Sequence, residues 1–182
     1  MKHIPFRLLP ALAWLLLLTL AAGCKKKEST VSFEVVDSTL MNSVTLSAPP
    51  DVQYLPTRRI DSKIGEASTS NTSSTDRVQT ATLSHAELSI EGGAPGQNFD
   101  FLRLVTVYLL DEQGVSRSIL AQSATVPPGA TRLTLTPTSQ SVVEQLKAGT
   151  YLIKPAVEMQ PGTQVVVNLK LQLRYQVQAR KR

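Results

Sequence analysis

The sequence predicts an all-β protein made of antiparallel sheet with one short helix. From residue 31 onward, apolar and polar residues alternate with a period of two, which is the period of a β-strand. Turn sequences recur at intervals of roughly 8 to 20 residues, a spacing that favours a sandwich or barrel over strands alternating with long helices. They are EGGAPGQN (91–98), DEQG (111–114), VPPG (126–129) and QPGT (160–163).

The first 23 residues have the layout of a secretory signal peptide. Lys2 and Arg7 form a basic region, an apolar run covers residues 8–20, and small residues follow. The run contains Pro10 and is shorter than the about 20 apolar residues that a transmembrane helix needs. We therefore predict that residues 1–23 are removed from the mature protein.

The only cysteine of the chain, Cys24, follows this segment directly. The stretch Ala21-Ala22-Gly23-Cys24 resembles the lipobox of bacterial lipoproteins, although that family usually has Leu, Val or Ile where Ala21 stands. The resemblance implies cleavage between Gly23 and Cys24 and a thioether-linked diacylglycerol on Cys24. A lone cysteine cannot form an internal disulfide, which agrees with lipidation. An ordinary secreted protein that is cut nearby is the alternative.

The residues after Cys24 indicate the membrane to which the predicted lipoprotein is sorted. Lys25 in place of an aspartate resembles an outer-membrane address in proteobacterial sorting. The stretch KKKE is similar to the surface-export signal of Bacteroidetes lipoproteins but lacks its paired acids. The predicted location is the outer membrane, with the periplasmic and cell-surface faces both open.

The mature chain has the length of one domain and a weak positive charge. Removing Lys2 and Arg7 lowers the formal net charge from +5 to about +3, which does not indicate a nucleic-acid partner. Basic residues occupy both ends, at 25–27 and 180–182. They can contact lipid head groups, or they can be a solvated tether (24–30) and a basic tail (179–182).

Between these ends the sequence divides into three parts. Residues 31–62 contain N-terminal strands at 32–36 and 44–46. Residues 63–77 are rich in Ser and Thr with almost no apolar content, so we predict a flexible loop there. Residues 78–178 form the predicted β-sandwich core, with strands at 78–90, 101–110, 119–126, 133–135, 151–159 and 165–177.

Three of these strands carry more detailed predictions. Residues 165–177 alternate strictly, so one face should lie on a core and the other in water. Residues 101–110 are apolar on both faces and predict a central strand covered on both sides. Pro155 predicts that strand 151–159 is an edge strand or is bulged.

One short helix is predicted in SQSVVEQLKAG. Ser139 or Ser141 is a candidate N-cap, Glu144 has capping-box spacing from Ser141, and Gly149 follows the last turn.

The core resembles the immunoglobulin-like sandwich of many bacterial envelope proteins. The order of short strands, the helical turn and then AGTYLIKP with a hairpin into the last strand carries this resemblance. It implies a tyrosine-corner role for Tyr151, whose hydroxyl would bond to backbone in the preceding connection. The mature chain departs from the pattern because it has neither a cysteine pair nor a tryptophan.

The sequence contains no clear catalytic or metal site, so we predict neither an enzyme nor a cofactor. His85 is the only histidine after residue 23 and falls on the polar side of its strand, with Glu87, Ser89 and Glu91. Asp111 and Glu112 fall in a turn. Two weaker candidates are a calcium site at Glu91, Asn98 and Asp100 and a sugar-binding platform at Tyr54 or Phe99.

The predicted function is therefore a lipid-anchored envelope protein with a non-catalytic structural or protein-interaction role, held to the membrane by its N-terminal lipid and contacting an envelope protein partner. A periplasmic or surface module that binds a small ligand or glycan is the alternative.

Overall fold

The computed structural model describes residues 29–48, 52–115 and 117–182. The predicted signal peptide, its cleavage site, Cys24 and residues 24–28 of the tether lie outside this range. The described strands are β1 (Thr30–Ser47), β2 (Val52–Tyr54), β3 (Arg58–Asp61), β4 (Val78–Ile90), β5 (Leu102–Leu110), β6 (Arg117–Gln122), β7 (Arg132–Pro137), β8 (Thr150–Met159) and β9 (Gln164–Arg180). The helices are α1 (Ile64–Ser70), a 3₁₀ turn (Thr75–Arg77) and α2 (Val143–Lys147).

The strands form one curled antiparallel sheet in the order β1-β9-β4-β7-β6-β5-β8-β2, with β3 also paired to β8. The predicted all-β antiparallel class is confirmed. The β6–β7 pairing consists of only two residue pairs, so the sheet has two broad halves joined there. We call β1, β9, β4 and β7 the β1 half, and β6, β5, β8, β2 and β3 the β8 half. No helix of the described residues is long and apolar enough to span a membrane.

A single apolar core lies between the two halves. β9 supplies its centre, because Val167, Leu169, Leu171, Leu173 and Tyr175 are all buried while the residues between them are partly exposed. The alternation predicted for this strand is confirmed. From the β8 half, the core receives the inward side chains Leu102, Val105, Val107, Leu109, Ile153 and Val157.

Strand β5 is central as predicted, because β6 and β8 flank it. Its second face is only partly covered, since Leu104 and Tyr108 are half-buried there. A bulge at Arg103 moves Leu102 to the inner face, which the simple alternation did not predict.

Pro155 lies in β8, which is an internal strand and keeps its register with β5 through this residue. The prediction that this strand is at an edge or is bulged at Pro155 is therefore wrong. Its carbonyl accepts a hydrogen bond from the Leu55 N–H at 2.9 Å, so its ring nitrogen faces the same side. That side is where the neighbouring edge is interrupted between β2 and β3. The proline is tolerated because no ladder hydrogen bond is required from its nitrogen at this break.

The predicted separation of residues 31–62 from the core is wrong. The two short predicted strands are one continuous strand, β1, which pairs with β9 from Thr30↔Arg180 to Ser47↔Gln164. The basic tail also begins later than predicted, because β9 continues to Arg180 and Ala179 is fully buried. The N-terminal strand is thus an integral part of the sheet.

The prediction of a flexible loop over 63–77 is also wrong. The segment forms α1 and the 3₁₀ turn, and Ile64, Ser68 and Ser73 are buried. The Ser73 hydroxyl donates to the Arg180 carbonyl at 2.6 Å. Small polar side chains are buried here by contacts distant in sequence, which local composition does not reveal.

The predicted helix is present as α2, but its caps differ. Val142 occupies the N-cap position without a side-chain hydrogen bond, and its N–H donates to the Ala81 carbonyl at 2.9 Å. Ser141 forms a β-bridge with Thr82 and so does not cap. Gly149 follows the helix with φ +76°, a conformation that favours glycine.

Candidate functional site

An open groove separates the bulged part of β1 from the break between β2 and β3. We call it the edge groove; its volume is about 480 Å³, and its lining comprises residues 42–45, residues 53–58 and Lys154. On the β1 side, the register shifts between Met41 and Val44, and Ser43 has φ +51°. The Ser43 N–H donates to the Asn168 side chain at 2.7 Å, which holds the bulge in place.

Gln53 connects the two walls of the edge groove. Its amide nitrogen donates to the Thr45 carbonyl at 2.9 Å, and its amide oxygen accepts the Ser47 N–H at 3.0 Å. β1 is an edge strand of the sheet, and these two bonds satisfy backbone groups that a neighbouring strand would otherwise pair. The buried Leu55 anchors the same segment to β8.

Aromatic and cationic side chains meet beside the edge groove. The Lys154 ammonium lies 5.1 Å from the centroid of the Tyr54 ring, within cation–π range, and the Tyr54 and Tyr108 rings are 6.3 Å apart. Arg58 also lines the groove, and its Nε is buried without a hydrogen-bond partner among the described residues. The described lining therefore carries two cations, amides and a tyrosine, a set suited to anionic or hydroxyl-rich groups.

The cluster continues across the outer face of the β8 half. Register places Lys154 next to Tyr108, and Tyr108 next to Ile119, on neighbouring strands. Tyr54 is 44% exposed, and Val52 and Ile119 are 40% exposed. We call this surface, made of Val52, Tyr54, Tyr108, Ile119 and Lys154, the aromatic face. It spans four adjacent strands.

A buried polar cluster lies deeper, between the two halves. The Tyr151 hydroxyl donates to the Asp37 carboxylate at 3.0 Å and lies 2.8 Å from the Tyr175 hydroxyl. The other Asp37 oxygen accepts the Lys63 N–H at 2.9 Å. The predicted tyrosine-corner role of Tyr151 is therefore wrong, because its hydroxyl bonds to side chains of β1 and β9 and joins the two halves through them.

Burial controls the protonation of this cluster. Burial raises the pKa of Asp37 above its ordinary value of 3.8, against the lowering effect of the hydrogen bonds from Lys63 N–H and Tyr151. Burial also raises the pKa of both Tyr151 and Tyr175, so their hydroxyls stay protonated and can donate. These hydrogen bonds connect Tyr151 of the β8 half with Asp37 and Tyr175 of the β1 half.

The raised pKa of Asp37 predicts a specific pH dependence of stability. The folded state binds the Asp37 proton more tightly than the unfolded chain, so its contribution is fully present below pH 3.8 and is lost as pH rises through the folded pKa. Asp37→Asn does not titrate at this position. We therefore expect the free energy of unfolding of wild type, relative to Asp37→Asn, to fall with rising pH by about 1.4 kcal/mol per unit of pKa difference.

Urea denaturation of both proteins between pH 3 and 7 measures this difference, and the ordinary carboxylates cancel in the comparison. A difference that is constant, or that grows in favour of wild type with pH, would contradict the raised pKa.

His85 lies on the outer face of β4 as predicted, half-buried and opposite Arg174. Ser84 is the extra residue of a bulge, so Leu83 and Ala86 both point inward with His85 outside between them. Glu87 forms an ion pair with Arg132 at 2.9 Å. Ser89 is buried, in contrast to the prediction, and donates to Glu91 at 3.0 Å.

The side chains of the predicted calcium ligands accept hydrogen bonds from neighbouring groups of the protein. Asp100 accepts the Gly129 N–H at 2.6 Å, and Asn98 accepts the Asp100 N–H at 3.0 Å. Asp111 and Glu112 lie in a turn as predicted and line a cleft of about 310 Å³ with Arg59 and Glu144. In the described part of the chain, no three His, Cys, Asp or Glu side chains could together hold a metal ion.

Of the two predicted aromatic candidates, Tyr54 is exposed and Phe99 is fully buried. Sequence reasoning missed Asp37, Arg58 and Lys154. Asp37 had a detectable signal, because it occupies an inward position in the alternation of β1 after Val31, Phe33 and Val35. Arg58 and Lys154 had no such signal in the sequence, because their proximity in the edge groove depends on how β2 and β3 pair with β8.

Comparisons with known proteins assign no family to the chain. No family model matches the sequence, and no curated protein matches it. Among solved structures, it is similar to a Nora virus structure with 9% identity over 84% of this chain and 61% of that chain, at a TM-score of 0.37. The Cocksfoot mottle virus structure has 9% identity over 86% and 88% at 0.31, and the BFDV capsid protein has 11% identity over 82% and 99% at 0.33.

Proposed function

We propose that this chain is a lipid-anchored envelope protein whose β-sandwich binds a protein partner without catalysis. The anchor is inferred from the signal-peptide layout and the lipobox-like stretch ending at Cys24. The outer-membrane location is inferred from Lys25, which follows Cys24 in place of an aspartate. The observation that supports the binding role is the aromatic face, with its row of partly exposed apolar and aromatic side chains over four strands.

The composition of the aromatic face suits a protein contact. Contiguous exposed apolar surface marks interaction sites, and tyrosine is enriched where interfaces carry their binding energy. Tyrosine buries a large area with little loss of side-chain entropy.

The body that carries this surface is proposed to be an immunoglobulin-like sandwich. Support comes from the antiparallel pairing throughout, the alternating inward residues of both halves and the single core between them. The β6–β7 pairing, which joins the halves into one curled sheet, distinguishes it from a sandwich of two separate sheets.

The test is affinity capture from intact cells after cross-linking. We expect one envelope protein to co-purify with the wild type and to be reduced at least tenfold with Tyr54→Ser/Tyr108→Ser. Two tyrosines at the centre of an interface each contribute about 2 kcal/mol, which is why the loss should be large.

The matched control is Val36→Ser/Leu40→Ser, which removes exposed apolar side chains from the outer face of the β1 half. It should leave the captured protein unchanged. Equal loss with both variants, or none with the tyrosine variant, would refute the assignment of binding to the aromatic face.

The edge groove favours the second candidate, a module that binds a ligand or glycan. Tyr54 offers a ring, while Arg58, Lys154 and Gln53 offer donors to acidic or hydroxyl groups. Affinity electrophoresis through gels containing anionic polysaccharide discriminates the two functions. Retardation that Lys154→Gln abolishes would select the glycan function, and unretarded migration would select the protein contact.

A further inference from the structure

We propose that the end of the domain where β1 begins and β9 ends binds the anionic phospholipid head groups of the bilayer. This inference rests on the proposed function, because the lipid on Cys24 sets which end faces the membrane.

The structure brings the two basic ends of the sequence to one place. Thr30 pairs with Arg180, and the Lys181 N–H donates to the Ser29 carbonyl at 2.9 Å. The side chains of Arg180, Lys181 and Arg182 are therefore held beside the residue where the described chain begins. They are exposed, so their charges face outward.

A fourth cation belongs to the same end. Arg77 is exposed and donates through its guanidinium to the Lys181 carbonyl. The Arg182 N–H is bound to the Thr72 carbonyl at 3.0 Å, which fixes the last residues against the 3₁₀ region. We call Arg77, Arg180, Lys181 and Arg182 the basic end.

The Asp76 carboxylate lies among these cations. The pKa of Asp76 is lowered, first by a hydrogen bond from the Ser74 side chain and further by the charges of Arg77 and Arg182. The side chains of Asp76 and the four cations together carry a charge of +3, which the terminal carboxylate lowers to +2 in a chain that ends at Arg182. Residues 25–28 contribute three lysines and Glu28, a further +2, in the sequence just before the described chain.

Distance makes this end the one that meets the membrane. Four residues lie between Cys24 and Ser29, and the five Cα–Cα steps of an extended chain cover at most about 18 Å. The opposite end of β4 lies 12 residues along the strand, about 40 Å away. Electrostatic attraction falls off within about 8 Å at physiological salt, so only the basic end can be attracted to the head groups.

The expected size of the effect follows from the charge count. A basic side chain near an anionic surface contributes about 1 kcal/mol, a factor of about five in partitioning. Loss of three such charges should therefore weaken binding by at least about tenfold.

The test uses the chain from residue 24 with Cys24→Ser, so that no acyl chain contributes. Co-sedimentation is measured with vesicles of phosphatidylcholine alone and with 30% phosphatidylglycerol at about 0.1 M salt. We expect binding to the anionic vesicles only, reduced at least tenfold by Arg180→Gln/Lys181→Gln/Arg182→Gln. Lys181→Gln/Arg182→Gln is the second variant, expected to lose at least fivefold, should the change at Arg180 disturb the end of β9.

The matched control is Arg103→Gln/Lys170→Gln/Arg132→Gln, which removes the same charge from the opposite end. Its binding should stay within twofold of the parent. Equal loss in both triple variants would show that binding depends on net charge rather than on the basic end, and would overturn the proposal. Binding to neutral vesicles would overturn it as well. Because acylation is absent from every sample, these results are independent of whether Cys24 is lipidated in cells.

Discussion

Cys24→Ser is expected to abolish incorporation of radioactive palmitate and to leave the uncut precursor in the membrane fraction. In the proposed lipidation the Cys24 sulfur forms the thioether, and a serine oxygen does not replace it in that reaction. Without the diacylglycerol, a signal peptidase that requires a lipidated cysteine does not cut before residue 24. The effect is all or none and is read from labelling together with gel mobility.

The control for this substitution is Lys27→Gln, a nearby change that leaves the stretch from Ala21 to Cys24 intact. It should be labelled and processed like the wild type. Continued labelling of the serine variant would show that the acyl chain is attached elsewhere.

Leu171→Ala is expected to lower the free energy of unfolding by about 3 kcal/mol. Leu171 is fully buried at the middle of β9, paired with Thr39 on one side and Leu88 on the other. Its truncation removes apolar area from the core and leaves a cavity that the flanking strands cannot close. A domain with 5 to 15 kcal/mol of stability would lose a large fraction of it.

The matched control is the adjacent Gln172→Ala, which changes the opposite, partly exposed face of the same strand. It should shift the free energy of unfolding by no more than about 0.5 kcal/mol. Urea denaturation measures both. Similar losses in the two variants would contradict the placement of the β9 faces.

The strands that were predictable are those whose pattern is local. Residues 78–90 coincide with β4, and the alternation of β9 marks the core face correctly. The pattern does not predict the bulge at Ser84. This bulge shifts His85 and Ala86 by one position relative to the alternation of residues 78–83. A bulge depends on the pairing with the partner strand, so it cannot be predicted from the sequence of one strand.

Amino-acid composition gave a wrong prediction where burial depends on contacts distant in sequence. Residues 63–77 are poor in apolar side chains, yet Ser73 and Ser68 are buried because β9 and β1 extend beside them. The same reason explains why the N-terminal strand was wrongly separated from the core. Its partners in β9 are 117 to 150 residues away in sequence, a pairing that no local period encodes.

The candidate site was predictable only in part. Tyr54 could be selected as an aromatic residue outside the predicted core, and the structure leaves it exposed. Phe99, chosen on the same grounds, is fully buried; its ring lies 6.1 Å from that of Phe101, and its N–H donates to the Ala130 carbonyl at 2.7 Å. Lys154 and Arg58 reach the edge groove through the pairing of three strands, which the sequence does not reveal.

Mass spectrometry of the N-terminal peptide of the protein isolated from its native membrane tests the lipid anchor most directly. We expect a peptide that begins at Cys24 and carries the added mass of two or three fatty acyl chains. A peptide that begins at another residue, or that begins at Cys24 without acyl mass, would contradict the anchor and the location inferred from it.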